Sequence, residues 1–189
     1  MEYLELLNKV EQWAKDRGLD TVEARTQYSK LTEEQGELVF AIMGNNINGN
    51  SGVIDSLGDY QVTLIIYCLI RDIDLKGQVE QEGDFWTEYD DLAQMVEEIS
   101  EEFGEKITAQ DMVNYLVYSS SRIISAYNRN NANEEEHIAV VRTMEQLHYI
   151  AKKYNTTLEE TLEVAYNEIK DRKGKMIDGV FVKEADLKD

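Results

Sequence analysis

No proline interrupts the 189 residues of this chain, where average usage would place roughly nine. Proline lacks an amide donor and clashes with the preceding helical turn, so its absence removes the commonest helix breaker and points to an all-α chain. The apolar spacing agrees. Leu4, Leu7, Val10 and Trp13 recur at three-residue intervals in an opening helix that stops at Arg17-Gly18. A second helix is predicted over about Val22 to Met43, with Leu31, Leu38 and Ile42 on its apolar side, ending at the loop GNNINGNSG, Gly44 to Gly52. A third, about Val53 to Ile73, is nearly all apolar after Asp59 and should be central. Lys76 to Asp84 reads as a polar linker, and further helical segments follow near residues 88–103, 109–129 and 135–154. The last helix, about 157–172, opens with Thr157 as N-cap and Glu160 three residues on, a capping box. The tail MIDGVFV turns to β character, with Asp178-Gly179 between apolar residues as a hairpin signal. The expected architecture is one all-α helical bundle with a short C-terminal β-hairpin.

Charge narrows the function classes. Asp and Glu number 38 against 19 Lys and Arg, leaving a net charge of −19. Binding to phosphate backbones needs clustered cations for counterion release, so a nucleic-acid partner is not expected. The same sign argues against an anionic membrane surface. The apolar run Leu64 to Ile70 is too short for a membrane span, and the acidic amphipathic start is unlike a signal peptide. A cytoplasmic chain is expected. The lone cysteine, Cys68, excludes an internal disulfide and a cysteine zinc cluster; in the run LIIYCLI it reads as a buried, inert thiol.

A shift of about 85 residues overlays the chain on itself. YLELLNKVEQWAKDRG from Tyr3 lies over YDDLAQMVEEISEEFG from Tyr89, and ELVFAIMGNNINGN over RIISAYNRNNANEE. The helix from Val53 then overlies the one from Ile138. This predicts a fused pseudo-dimer of units 1–75 and 86–158, followed by a closing helix and tail over 159–189.

Two acidic pairs could carry chemistry. Glu34 and Glu37 are three apart and Asp55 and Asp59 four apart, so each pair shares one helix face. Neighbouring helices offering such pairs can enclose a hard divalent cation, Mg²⁺ or Mn²⁺, because every donor is a carboxylate oxygen. The plainer alternative makes Glu33, Glu34 and Glu37 a solvated face and Asp55 a cap of the third helix. Asp59 resists that reading, since it stands where the helix turns apolar and an unpaired buried carboxylate is costly. Glu97, Glu98 and Glu101 repeat the EExxE string with no acidic helix after it, and read as a solvated face. Lys170, Arg172, Lys173 and Lys175 form the dense basic cluster of this acidic chain, either to hold a polyanion or to complement a helix C-terminus. Lys30 lies one turn before Glu34. On the overlay, Glu34 and Glu37 fall on Ser119 and Arg122, and Asp55 and Asp59 on Val140 and Met144, so the second copy should contribute structure alone.

Glu33-Glu34-Gln35-Gly36-Glu37, followed by Leu57-Gly58-Asp59 before an apolar helix, resembles the signature of the MazG-like all-α nucleoside triphosphate pyrophosphohydrolases. Trp13, Arg17-Gly18-Leu19, Gln27 and Lys30 resemble the family's opening helix and its approach to that motif, and Ala165 to Glu184 resembles the closing segment of one branch. The resemblance covers residues 1–75 and 145–184. It implies an NTP or dNTP substrate, cleaved to the monophosphate and pyrophosphate with Mg²⁺, Mn²⁺ being the alternative metal. It places metal ligands at Glu34, Glu37 and Asp59; the fourth family position falls on Ser56, and Asp55 one residue earlier can replace it. Lys30, Asn167, Lys170, Arg172 and Lys173 become candidates for the phosphates, and Trp13 and Gln27 for the base or for packing. Glu33 is a candidate general base or a surface residue. A dUTPase-type all-α hydrolase and a non-catalytic acidic helical scaffold are the competing readings. Base preference and the choice between monomer and homo-oligomer stay open.

Overall fold

A computed structural model describes residues 1–77, 106–129, 134–177 and 180–184, together with Gln94, Glu97, Glu98 and Glu102. The elements are α1 (Tyr3–Lys15), a 3₁₀ turn (Leu19–Thr21), α2 (Ala24–Met43), α3 (Val53–Arg71), α4 (Ala109–Asn128), α5 (Glu134–Lys153), α6 (Leu158–Ile169), β1 (Gly174–Ile177) and β2 (Val180–Lys183). The chain is all-α with a C-terminal hairpin, in which Gly174 pairs with Lys183 and Ile177 with Val180. The expected linker over 78–84, most of the helix near 88–103 and the Asp178-Gly179 turn lie outside the described residues. Within that stretch Glu97 pairs with Lys153 Nζ at 2.6 Å, and Glu98 accepts from Gln94 at 2.7 Å, as a solvated face does.

Periodicity becomes burial directly. Leu6, Leu7, Val10, Trp13 and Ala14 are the buried stripe of α1, and the chain leaves that helix through Gly18 at φ +70°. Thr157 caps α6 by accepting from the Glu160 amide at 3.1 Å while Glu160 accepts the Thr157 amide at 3.2 Å. Thr108 and Asp111 make the same box on α4, which the sequence reading did not pick out.

Helix α3 is the axis of the bundle, touching α1, α2, α5 and α6. Leu57, Tyr60, Leu64, Ile65 and Tyr67 are fully or almost fully enclosed. Judged whole rather than from Leu64 to Ile70, α3 is long and apolar enough to cross a membrane, which corrects the sequence estimate; 72% of that stretch is buried inside the bundle, as in a core helix. Cys68 is buried and free, and burial pushes its thiol far above the ordinary range.

Helix α6 lies closely along α3 because position 58 has no side chain. A Cβ on Gly58 would stand 2.3 Å from the Thr161 carbonyl oxygen and 2.8 Å from the Ala165 Cβ. Alongside, Gln61 Nε2 donates to Thr161 Oγ1 at 2.8 Å. Gly58→Ala is therefore expected to cost about 1–3 kcal/mol through overpacking. Urea denaturation checks it, and a loss under ~0.5 kcal/mol would mean that α6 can shift without penalty.

The α2–α3 hairpin meets α4–α5 with α2 against α4 and α3 against α5. Tyr28 and Tyr60 reach the same residue of α4: Tyr28 Oη donates to the Ser120 carbonyl (3.2 Å) and Tyr60 Oη to Ser120 Oγ (3.0 Å). Across the other contact, the enclosed Glu136 accepts from Arg71 Nε at 3.0 Å, Arg71 Nη2 at 2.9 Å and the Tyr67 hydroxyl. Arg71 also lies over the Tyr127 ring, 4.9 Å from its centroid.

Helices α2 and α4 are both 20 residues long, and both their ends keep the sequence offset. Val140 and Met144, which the overlay sets against Asp55 and Asp59, are core residues, 0% and 1% exposed.

Candidate functional site

Glu34 is the acidic residue on the inner stripe of α2, in line with Leu31, Leu38 and Ala41, and is 6% exposed. Its Oε1 lies 2.8 Å from Lys30 Nζ, which also reaches Glu33 Oε1 at 3.1 Å. Glu33 and Glu37 themselves are exposed. Burial raises the Glu34 carboxyl above its ordinary range; Lys30 opposes the rise, and Glu37 and Glu33 add to it.

On α3, Asp55 accepts the Ser51 amide at 3.0 Å, so the cap-like use of this residue is present. Asp59, one turn on, is half-buried. Burial pushes its carboxyl up to about 7, with the charges of Glu34, Asp55 and Glu168 adding to the rise and Arg172 opposing it. Three elements thus act on one carboxylate: α2 through Glu34, α3 through Asp55, and the end of α6 through Glu168 and Arg172. Sequence reasoning missed Glu168. The available signal was its place one turn before Arg172 in the basic closing segment.

The remaining candidates divide. Trp13 is buried, its Nε1 donates to the Ile169 carbonyl at 2.8 Å, and its ring meets Phe181 edge-on with centroids 6.1 Å apart. It packs the end of α6 rather than presenting a face to a base. Arg17 stacks over Trp13 at 4.7 Å and donates to the Arg172 carbonyl from Nε (3.1 Å) and Nη2 (2.8 Å). Gln27 is buried with its amide spent on the Thr63 carbonyl at 2.9 Å, tying α2 to α3 two turns from Glu34. Asn167 is exposed and accepts from Lys170 Nζ at 2.9 Å. Lys173 is also exposed, and Arg172 is half-buried. Ser56 is 1% exposed, and its hydroxyl has no hydrogen-bond partner among the described residues.

Whether this set suits a metal is decided by its chemistry and its present arrangement. Carboxylate oxygens alone suit a hard divalent cation. Among the described residues no three acidic, histidine or cysteine side chains yet converge on one centre, and Glu34 is held by Lys30. The donor type is the one that Mg²⁺ or Mn²⁺ takes, and the described side chains are not brought together into such a group.

A separate cleft of about 560 Å³ lies between α4 and α5, lined by Tyr115, Tyr118, Ser119, Arg122, Glu135, Arg142 and Glu145 among others. Comparison with protein-family models, curated proteins and solved structures finds no match.

Proposed function

We propose that this chain is a Mg²⁺-dependent nucleoside triphosphate pyrophosphohydrolase, the activity implied by its resemblance to the MazG-like family. One observation supports this reading above the others. Asp59 stands half-buried among like charges from Glu34, Asp55 and Glu168, an arrangement that a solvated helix face has no reason to build. Bound Mg²⁺ would supply charge neutralisation and an activated water for attack at the α-phosphorus. Glu34, Asp55 and Asp59 would hold the ion, with Glu37 reaching in from the rim and Glu168 as an additional carboxylate from α6. Arg172, fixed through its own carbonyl by Arg17, would bring a guanidinium to the triphosphate, with Lys170 and Lys173 beyond it. Glu33 stays at the exposed rim on Lys30.

The test is incubation with Mg²⁺ and a panel of NTPs and dNTPs, with pyrophosphate and phosphate assayed separately. Pyrophosphate without phosphate is expected. Phosphate with a nucleoside diphosphate would mean another reaction, and no turnover of any nucleotide would leave an acidic helical scaffold. Arg172→Ala is expected to raise KM about ten-fold or more with a smaller change in kcat, as loss of a ground-state phosphate contact does. An unchanged KM would return Arg172 to an ordinary helix terminus.

A further inference from the structure

We propose that Lys30 is a resident counter-ion of the carboxylate cluster, which a divalent cation displaces from Glu34. The inference rests on the metal reading above and concerns how the site is kept without its metal. Glu34 is 6% exposed, and a lone buried carboxylate would be costly. Lys30 Nζ at 2.8 Å is the one cation within ion-pair distance of it among the described residues. Helix stability is a weak reason for the pair. Lysine four residues before glutamate is the poorer of the two orientations on a helix. Placing the ammonium on an enclosed carboxylate, while Glu33 at 3.1 Å takes its other side, is what charge compensation requires.

Glu34 Oε1 is directed to the ammonium, and among the described residues no three acidic, histidine or cysteine side chains share a centre. The charge of Glu34 still acts on Asp59 across the α2–α3 contact. A metal ion and an ammonium on one carboxylate repel each other, so metal entry favours release of Lys30. Release is easy: the lysine side chain is 48% exposed on a flexible four-carbon stem and regains water when it swings away. The freed ammonium remains one turn from the site, where an anionic ligand of the metal would meet it. Lys30 therefore stabilises the metal-free state selectively, and any change that removes it strengthens metal binding by the same factor.

Mn²⁺ is the probe, titrated by electron paramagnetic resonance at about physiological salt into the natural chain, Lys30→Met, Lys30→Arg and Asp59→Asn. The class of bound Mn²⁺ that disappears in Asp59→Asn defines the site. Lys30→Met is expected to bind that class about five- to ten-fold more tightly, the scale of one partly exposed ion pair. Lys30→Arg, which keeps the pair, should stay within about two-fold of the natural chain. In EDTA, Lys30→Met should melt below the natural chain, and saturating Mn²⁺ should remove or reverse that gap. Unchanged or weaker Mn²⁺ binding in Lys30→Met overturns the proposal while leaving the metal site standing. Absence of any class sensitive to Asp59→Asn overturns the metal reading, and this inference with it.

Discussion

Asp59→Asn is expected to melt about 4–8 °C above the natural protein at pH 8 in EDTA and, under the proposed function, to lose pyrophosphate release altogether. The direction follows from proton linkage. The folded carboxyl titrates near 7 against an ordinary value of 3.8, so the native state binds its proton more tightly than the unfolded chain does. Stability is therefore drained as pH rises through about 4, and the full penalty is present above 7. A shift of this size corresponds to about 4 kcal/mol at most, and solvent screening of a half-buried group reduces it to about 2 kcal/mol. For a chain of this length that is worth about 2–4 °C per kcal/mol. Asparagine keeps the shape and removes the charge, so the gap between the two proteins should open with pH and close below about 4. Mg²⁺ should raise the melting temperature of the natural protein and leave the variant unmoved. Melting curves at several pH values settle the matter. A variant that melts lower at pH 8 without metal would mean that Asp59 is stabilised as an ion and that the cluster has been misread.

The second large effect lies away from that site. Arg71→Ala is expected to cost about 3–5 kcal/mol, a large share of the total stability of an ordinary domain. Glu136 is 0% exposed and depends on two guanidinium hydrogen bonds and the Tyr67 hydroxyl. Burial and the adjacent Glu136 carboxylate push the Tyr67 phenol upward, so it remains a donor. Without Arg71 the carboxylate keeps that single donor among the described residues. The double variant Arg71→Met/Glu136→Leu should recover much of the loss, because it leaves no unpaired charge. Urea denaturation of both variants measures this. A single variant within about 1 kcal/mol of the natural chain would show that water reaches Glu136.

Local signals in the sequence carried over well. The Thr157–Glu160 box, the centrality of the helix after Asp59 and the hairpin flanks are set by neighbours within a few residues, and they stand where the pattern put them. Helical phase set Glu33 apart from Glu34 and Glu37 but grouped Glu37 with Glu34, because phase alone does not say which stripe a neighbour covers. Burial by α3 makes that distinction. Glu168, Arg71 and Glu136 acquire their roles from partners on distant helices, and no spacing within one helix encodes them. Helical spacing left Trp13 between the base and packing, and it gives no hint that the indole N–H is used by the Ile169 carbonyl.

The indole that fastens α6 is also an optical reporter. Trp13 lies under the Arg17 guanidinium, hydrogen-bonded to the last turn of α6, at the joint that carries Glu168 and Arg172 towards Asp59. Of the two tryptophans in the chain, the other is Trp86. In a Trp86→Phe background the emission of Trp13 would therefore follow the seating of α6 alone. Its intensity and wavelength would record, in real time and without a label, whether cation or nucleotide arrival tightens or loosens that joint.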